Sequence, residues 1–323
     1  KQKGYGHCIG NIESVDSTNQ MTLYGHLGEV WEDGNRAYVT DSAMMVEWSD
    51  SANYTYMHAD TLWTEEIPYT TFSLTKPDSI WVDSILTIKQ SDTLWRDTTY
   101  QQLRAFHNVR IFRSDMQAVC DSARYHGKDS ILTLFGLPIC WNEDNQLSAD
   151  QIDVYIKNQE VDYMHGVGNA IAIKREGIEE FNQLAGKEMF AYVRDRDIYL
   201  VDVQGNAETV FYPQEDDGTY IGVNRTQSSF VKLYLKDRKI DYVLFTTATT
   251  GVMIPLDQAL ENERKLSGFF WAEEERPHSP EDIFSHPPRT VRPVAGTVSA
   301  AAEDEEEAEE NEEENKATRR QNR

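Results

Sequence analysis

One strand-sized unit keeps returning along this chain in altered form, and that recurrence constrains the fold more than any other feature. It is clearest as Leu147-Ser148-Ala149-Asp150-Gln151-Ile152, running on to Ile156, and then as Gly168-Asn169-Ala170 leading into Ile171-Ala172-Ile173. Its first half is echoed by Ala118-Val119-Cys120-Asp121-Ser122, Tyr38-Val39-Thr40-Asp41-Ser42 and His58-Ala59-Asp60-Thr61-Leu62. Its second half is echoed by Gly10-Asn11-Ile12, His107-Asn108-Val109 and Gly205-Asn206-Ala207. Self-similarity at tens of residues, carried by β-type segments, means near-equivalent strands stacked along one axis. Such an array offers a long surface, not a single pit, and so favours a carrier over a catalyst.

Up to about residue 256 the chain reads as short strands separated by polar turns. Ile152, Val154 and Ile156 share one face against Gln151, Asp153 and Tyr155, and Val231, Leu233 and Leu235 alternate with Lys232 and Tyr234. Ile131 to Phe135, with Leu132 and Leu134, is apolar on both faces apart from Thr133. Turns are marked by Glu32-Asp33-Gly34-Asn35, His126-Gly127-Lys128-Asp129, Asn142-Glu143-Asp144-Asn145 and Asp216-Asp217-Gly218, whose residues tolerate positive φ or bond their own backbone. Asp41, Asp60, Asp121 and Asp129, each beside Ser or Thr, read as strand-end punctuation that caps free amides. Residues 65–99 break the rhythm. Flanked at the start by Pro68 and Pro77, and carrying Trp81 and Trp95 among many Asp, Ser and Thr, they predict a long hairpin projecting from the array.

The C-terminal quarter changes character. Pro255 to Gly268 takes on helical spacing, with Asp257 as cap, Leu260 and Leu266 facing inward and Gly268 as stop. Phe269, Phe270 and Trp271 then form an apolar knot suited to plugging the last open strand edge. Beyond Ala272, prolines and an acidic run at Glu303 to Asn315 predict disorder, apart from a helical turn at Ser279 to Phe284. The expected organisation is therefore a β array over 1–256 with its insertion near 65–99, a capping helix and knot over 257–271, and an acidic tail over 272–323. At the other end Gly4 to Ile12 already reads as a strand entering mid-pattern, which predicts a start inside a longer protein and an unpaired first edge.

The net charge of −24 excludes a general nucleic-acid binder, because phosphate contacts need clustered Lys and Arg. The tail, with 15 acidic and 7 basic groups, accounts for −8 of it, so the body is acidic in its own right. Cys8, Cys120 and Cys140 fit neither a disulfide framework nor a Cys-x-x-Cys metal site, and Cys120 and Cys140 are read as small strand residues sooner than as a pair. No His-x-x-x-His, His-Glu-x-x-His or Gly-x-Ser-x-Gly occurs, and Gly166-x-Gly168 runs into a strand without a third glycine. The sequence implies no enzyme, no metal and no cofactor. An apolar strand face either closes on itself or stays open as a trough, where each methylene of an alkyl chain gains roughly 0.8 kcal/mol on leaving water.

Asp121-Ser122-Ala123-Arg124-Tyr125, then Leu134-Phe135-Gly136-Leu137-Pro138 with Trp141, then Leu147 to Ile152, follow in an order that resembles the OstA-like proteins. These are the organic-solvent-tolerance, lipopolysaccharide-transport periplasmic proteins, in the long version of Bacteroides-type bacteria. Gly168-Asn169-Ala170, Leu266-Ser267-Gly268-Phe269 and Arg276-Pro277 fit the same version, and the resemblance covers roughly residues 1–285. It implies an all-β fold, an elongated open β-jellyroll of stacked short antiparallel strands, whose units join edge to edge into a bridge between inner and outer membranes. It implies lipopolysaccharide as cargo, with lipid A acyl chains in an apolar groove, and a place in the periplasm, associated with the outer membrane and its assembly. The groove lining it implies is Leu132, Leu134, Ile152, Val154, Ile156, Ile171, Ile173, Val231, Leu233 and Leu235. The acidic body suits a phosphorylated head group only if cations such as Arg104, Arg110 and Arg113 gather at the mouth. A second reading, from another class, is an envelope-assembly scaffold that binds proteins through open strand edges and carries no lipid.

Overall fold

The computed structural model describes residues 4–48, 54–74, 79–82, 85–88, 93–215 and 217–285, together with Pro287 and Arg289. The chain opens with β1 (Tyr5–Asp16), β2 (Met21–Trp31), β3 (Arg36–Thr40), β4 (Met44–Trp48), β5 (Tyr54–His58) and β6 (Thr61–Leu74). A separate small pair, β7 (Ser79–Val82) and β8 (Ile85–Ile88), precedes β9 (Thr93–Arg113). Then follow β10 (Met116–His126), β11 (Ile131–Phe135), β12 (Ile139–Asn142), β13 (Asn145–Ser148), β14 (Gln151–Lys157) and β15 (Glu160–Arg175). The array ends with β16 (Phe181–Arg194), β17 (Asp197–Phe211), β18 (Gly222–Lys236), β19 (Lys239–Thr246) and β20 (Thr250–Pro255). All of these except β7 and β8 belong to one antiparallel sheet.

That sheet folds into a V because each rung bends at a corner. At the corners two successive residues take left-handed φ: Asp41 and Ser42, His107 and Asn108, Gly136 and Leu137, Gly168 and Asn169, Gly205 and Asn206, Thr247 and Ala248. This conformation is cheapest for Gly, Asn and Asp, and it turns a strand sharply while the ladder resumes on either side. Every echo of the repeated unit falls on such a corner or on the rung beside it. Corners also tie to one another. Asn108 donates to both Asp60 oxygens at 3.1 Å, Asn169 donates to Asp150 at 2.9 Å, and the amides of Asp60 and Asp150 reach the carbonyls of His107 and Gly168. Of the four punctuating aspartates, Asp60 accepts from a side chain of the next rung, Asp121 accepts from its neighbour Ser122 with His107 beside it, and Asp129 lies 2.9 Å from His126 of its own turn.

One arm of the V holds the N-terminal halves of β1, β9, β15 and β17, the C-terminal halves of β2, β10, β16 and β18, and all of β3, β6, β11, β14 and β19. We call it the first arm. The second arm holds the other halves with β4, β5, β12, β13 and β20. Between them lies one continuous apolar cluster running from Met21 and Leu23 to Val203 and Val231. The fold is an open all-β jellyroll, as expected. Among the described residues β1 pairs only with β2, while β19 and β20 pair only with β18, so both ends of the array present strand edges. Ile9 on β1 is 79% exposed.

The segment after β20 departs from expectation in three ways. Its helix, α1, covers only Glu261–Arg264; Leu260 points to solvent and its amide is capped by Glu263, not by Asp257. The Phe269 to Trp271 knot does not plug the last edge. It packs on the outer face of the second arm with Trp141, Ile171, Ile173, Val210 and Tyr212. The chain also stays packed beyond Ala272, where disorder was expected outside one turn: Ala272 and Glu275 are buried, with a 3-10 turn at Glu273–Glu275, while the turn expected at Ser279 to Phe284 forms as a 3-10 turn at Glu281–Phe284 with Ile283 buried. What holds this strap is a row of buried glutamines. Gln183 bonds Arg264 O and Leu266 N, Gln146 bonds Phe270 O and Ala272 N, and Gln117 accepts from Arg276, all at 2.7–2.9 Å. The expected disordered run from residue 290 onward lies outside the described residues.

Candidate functional site

The inner faces of the arms do not meet everywhere. Two adjoining cavities, of about 720 Å³ and about 460 Å³, run along the open side of the V and share Met116, Cys140, Met164 and Ile198 in their linings. The larger is floored by Leu132, Leu134, Val154 and Ile156 from the first arm and by Met45, Met57 and Ile111 from the second. The smaller is floored by Val231, Leu233 and Leu235, with Leu147, Ala172 and Leu184 opposite. These volumes fall within the range of small-molecule sites.

Of the ten predicted lining residues, Leu132, Leu134, Val154, Ile156, Val231, Leu233 and Leu235 border a cavity. Ile152 shares their face but is sealed in the core between the arms. Ile171 and Ile173 are placed elsewhere. They turn to the outer face of the second arm, under the strap, while Ala170 and Ala172 of the same strand face inward; Ile173 also reaches the wall of the smaller cavity. Sequence reasoning missed the methionines Met45, Met57, Met116 and Met164. Their flexible thioether side chains suit an irregular apolar wall, and their positions on strands that alternate with polar residues were the available signal.

The mouth is polar and its charges are mixed. Around the larger cavity Arg113, Lys157, Arg194 and Arg196 stand beside Glu47, Asp115, Glu160, Asp162 and Asp195. Of the three cations expected there, only Arg113 arrives. Arg104 lies on the outer face of the first arm, paired with Glu65, and Arg110 is buried on the outer face of the second, donating to Glu275 O. Among the described residues, contacts cross the mouth from one arm's tips to the other's. Gln159 bonds Gln20 at 3.0 Å, and Arg238 pairs with Glu143 while holding Asp197 of its own arm at 2.8 Å.

Glu47 follows Met45 on the inner face of β4 and projects into the larger cavity. The side chain is exposed at the mouth of the trough, and partial withdrawal from water between the arms raises its carboxyl pKa, with Arg113 pulling the other way. Cys140, at the wall shared by both cavities, is pushed up to about 12 by burial and is an inert thiol. Cys120 is buried likewise, Cys8 is exposed, and none of the three is bonded to another. At one corner Ser122 donates to Asp121 at 2.7 Å and His107 lies 3.2 Å from the same carboxylate. These bonds, Ser122's first, hold the Asp121 carboxyl below its usual range. The hydroxyl faces the carboxylate and not the imidazole, so the group lacks the order needed to activate a nucleophile. Among the described residues no three His, Cys, Asp or Glu side chains converge as a metal site, and no helix is long and apolar enough to cross a membrane.

No protein-family model matches the chain, and no curated protein does. Among solved structures it is similar to LptH, described as the LptA homologous periplasmic component of the conserved lipopolysaccharide transport device from Pseudomonas aeruginosa. The match is 14% identical with a TM-score of 0.35, and covers 44% of this chain and 99% of that one. At that similarity the fold assignment rests on this chain's own strand register and corners.

Proposed function

We propose that this chain holds the acyl chains of an amphiphile between its arms, as a periplasmic bridge component that carries lipopolysaccharide towards the outer membrane. The observation that carries the reading is the pair of adjoining apolar-floored cavities left between the arms. At about 30 Å³ for a group the size of a water or methylene, the larger admits on the order of two dozen such groups. A gain of roughly 0.8 kcal/mol for each one removed from water then holds a chain without specific polar contacts. The resemblance through Asp121–Tyr125, Leu134–Trp141 and Leu147–Ile152 supplies the cargo's identity. The phosphates of lipid A would lie with Arg113, Lys157, Arg194 and Arg196, whose acidic neighbours temper that attraction.

A photoreactive residue placed singly at Leu132 or Val154 tests this, with outward-facing Asp153 and Ile171 as controls. Crosslinking to lipopolysaccharide is expected at the first two. Equal yield from all four sites would refute the reading. The free edges of β1, β19 and β20 favour a second reading, a scaffold that augments partner strands without lipid. Mass spectrometry of gently extracted protein separates the two: co-purifying lipid A supports the carrier, stoichiometric protein without lipid the scaffold.

A further inference from the structure

The strands on either side of the connection at 75–92 extend past the array. β6 and β9 stay in register from Thr61 opposite Phe106 to Leu74 opposite Thr93. Their outer neighbours stop early, because β3 accompanies β6 only to Thr64 and β10 accompanies β9 only from Gln102. Tyr100 still touches His126, and Tyr69 still touches Lys128, of the neighbouring turn; beyond them, among the described residues, no third strand pairs with the two as they run out to Leu74 and Thr93, roughly 17 Å further at the usual rise per residue.

Polarity changes along this ribbon. Its base carries Glu65, Glu66, Gln101 and Gln102. Next come Tyr69 and Tyr100, whose rings meet edge to face at 5.6 Å. Its described end carries Phe72, Leu74, Leu94 and Trp95, which are 58%, 64%, 51% and 65% exposed. Register puts Phe72 opposite Trp95 and Leu74 opposite Thr93 on one face, and Leu94 opposite Ser73 on the other.

A two-stranded ribbon with no third described strand beside its outer end is marginal in water, and large apolar side chains exposed on it forfeit their burial there. A partner protein would cover one face or one edge. Apolar groups on both faces at one end are satisfied together only by a medium that surrounds the ribbon. We propose that the β6–β9 ribbon is a lipid-surface anchor, with Phe72, Leu74, Leu94 and Trp95 entering the interfacial region of a bilayer and Tyr69 and Tyr100 at its boundary. Between Ile67 and Tyr100 the charges nearly cancel, with Asp78, Asp83, Asp92 and Asp97 against Lys76, Lys89 and Arg96, although the chain as a whole stands at −24. Insertion is therefore driven by apolar burial and needs no anionic lipid. It stands apart from the carrier reading, since the anchor works whether or not the cavities hold cargo.

Flotation of the full chain with zwitterionic phosphatidylcholine vesicles tests the anchor. Binding is expected, and it should persist at about 1 M salt, where the screening length falls to ~3 Å. The double variant Phe72→Ser, Trp95→Ser should bind roughly tenfold more weakly, the factor that 1.4 kcal/mol corresponds to, with an unchanged melting midpoint because both residues face solvent. Brominated acyl chains should quench the wild type more than Trp95→Phe, which reads insertion without disturbing stability. Absence of vesicle binding, binding lost at high salt, or a double variant that binds as the wild type does would each overturn the proposal. So would capture of a second protein that Thr71→Pro abolishes while vesicles fail to bind, since that assigns the ribbon to strand pairing.

Discussion

Replacing Gln146 by methionine tests how the strap is held. The Gln146 side chain is 1% exposed, and its two ends reach Phe270 O and Ala272 N at 2.9 Å each. Methionine keeps the volume and removes both bonds, leaving a carbonyl and an amide with no partner at the floor of an apolar cluster. Each orphaned group costs about 1–3 kcal/mol, so the loss is about 2–6 kcal/mol. At roughly 2–4 °C per kcal/mol the melting midpoint falls by at least about 4 °C if strap and sheet unfold together. If the strap opens alone, the same loss appears as faster cleavage between residues 265 and 280 under limited proteolysis, because local opening has its own free energy. Gln151→Met is the matched control, since Gln151 bonds only the Asp153 carboxylate on the outer face of the first arm. A Gln146→Met protein that melts and is cleaved like the control would refute the idea that glutamine side chains fasten the strap.

Three further outcomes are expected. Because partial withdrawal from water raises the Glu47 pKa above its unfolded value, the carboxyl contributes stability below about pH 4 that is lost as pH rises through the folded pKa; the side chain is still exposed and solvent screens it, so Glu47→Gln should raise the melting midpoint only slightly at pH 7 and leave it nearly unchanged at pH 4. Gly168 sits at φ +73° where an added Cβ would collide with Asp150 Oδ2, so Gly168→Ala should cost at least about 1–2 kcal/mol in denaturant unfolding. In native protein a maleimide should label Cys8 alone, with Cys120 and Cys140 reacting only after denaturation, as mass spectrometry would show.

The first arm was legible because its two faces differ in polarity. Ile152, Val154 and Ile156 alternate with Gln151, Asp153 and Tyr155, and the chain places the aliphatic set inward as a period of two requires. The corners were legible as a repeat, though not as corners, since Gly-Asn and His-Asn pairs announce left-handed backbone without saying that a strand continues beyond it. The second arm defeats the same reading. Both of its faces are apolar, and the larger side chains, Ile171 and Ile173, lie outside while Ala170 and Ala172 face the trough. Hydrophobicity alone points to the isoleucines; only the strap, tens of residues later, shows why they can face outward.

The strap also explains a polar pattern that runs across strands and so cannot be seen along any one of them. One row of register partners on the outer face reads Gln117, Trp141, Gln146, Ile173, Gln183 and Val210. Every second strand offers an amide at intervals of about 9.6 Å, twice the strand spacing, and the strap answers with the Arg276 guanidinium and with backbone groups at Ala272 and Phe270 and at Leu266 and Arg264. Tryptophan, isoleucine and valine between them take its apolar side chains. The second arm is thus bound across several strands at once by the strap as well as by its ladder, whereas the first arm has its ladder and pairwise contacts between neighbouring strands, such as Tyr155 on Tyr163 and Lys232 with Asp202. Any widening of the trough must break Gln20–Gln159 and Glu143–Arg238 at the tips, and it will be taken up by the arm that carries no strap.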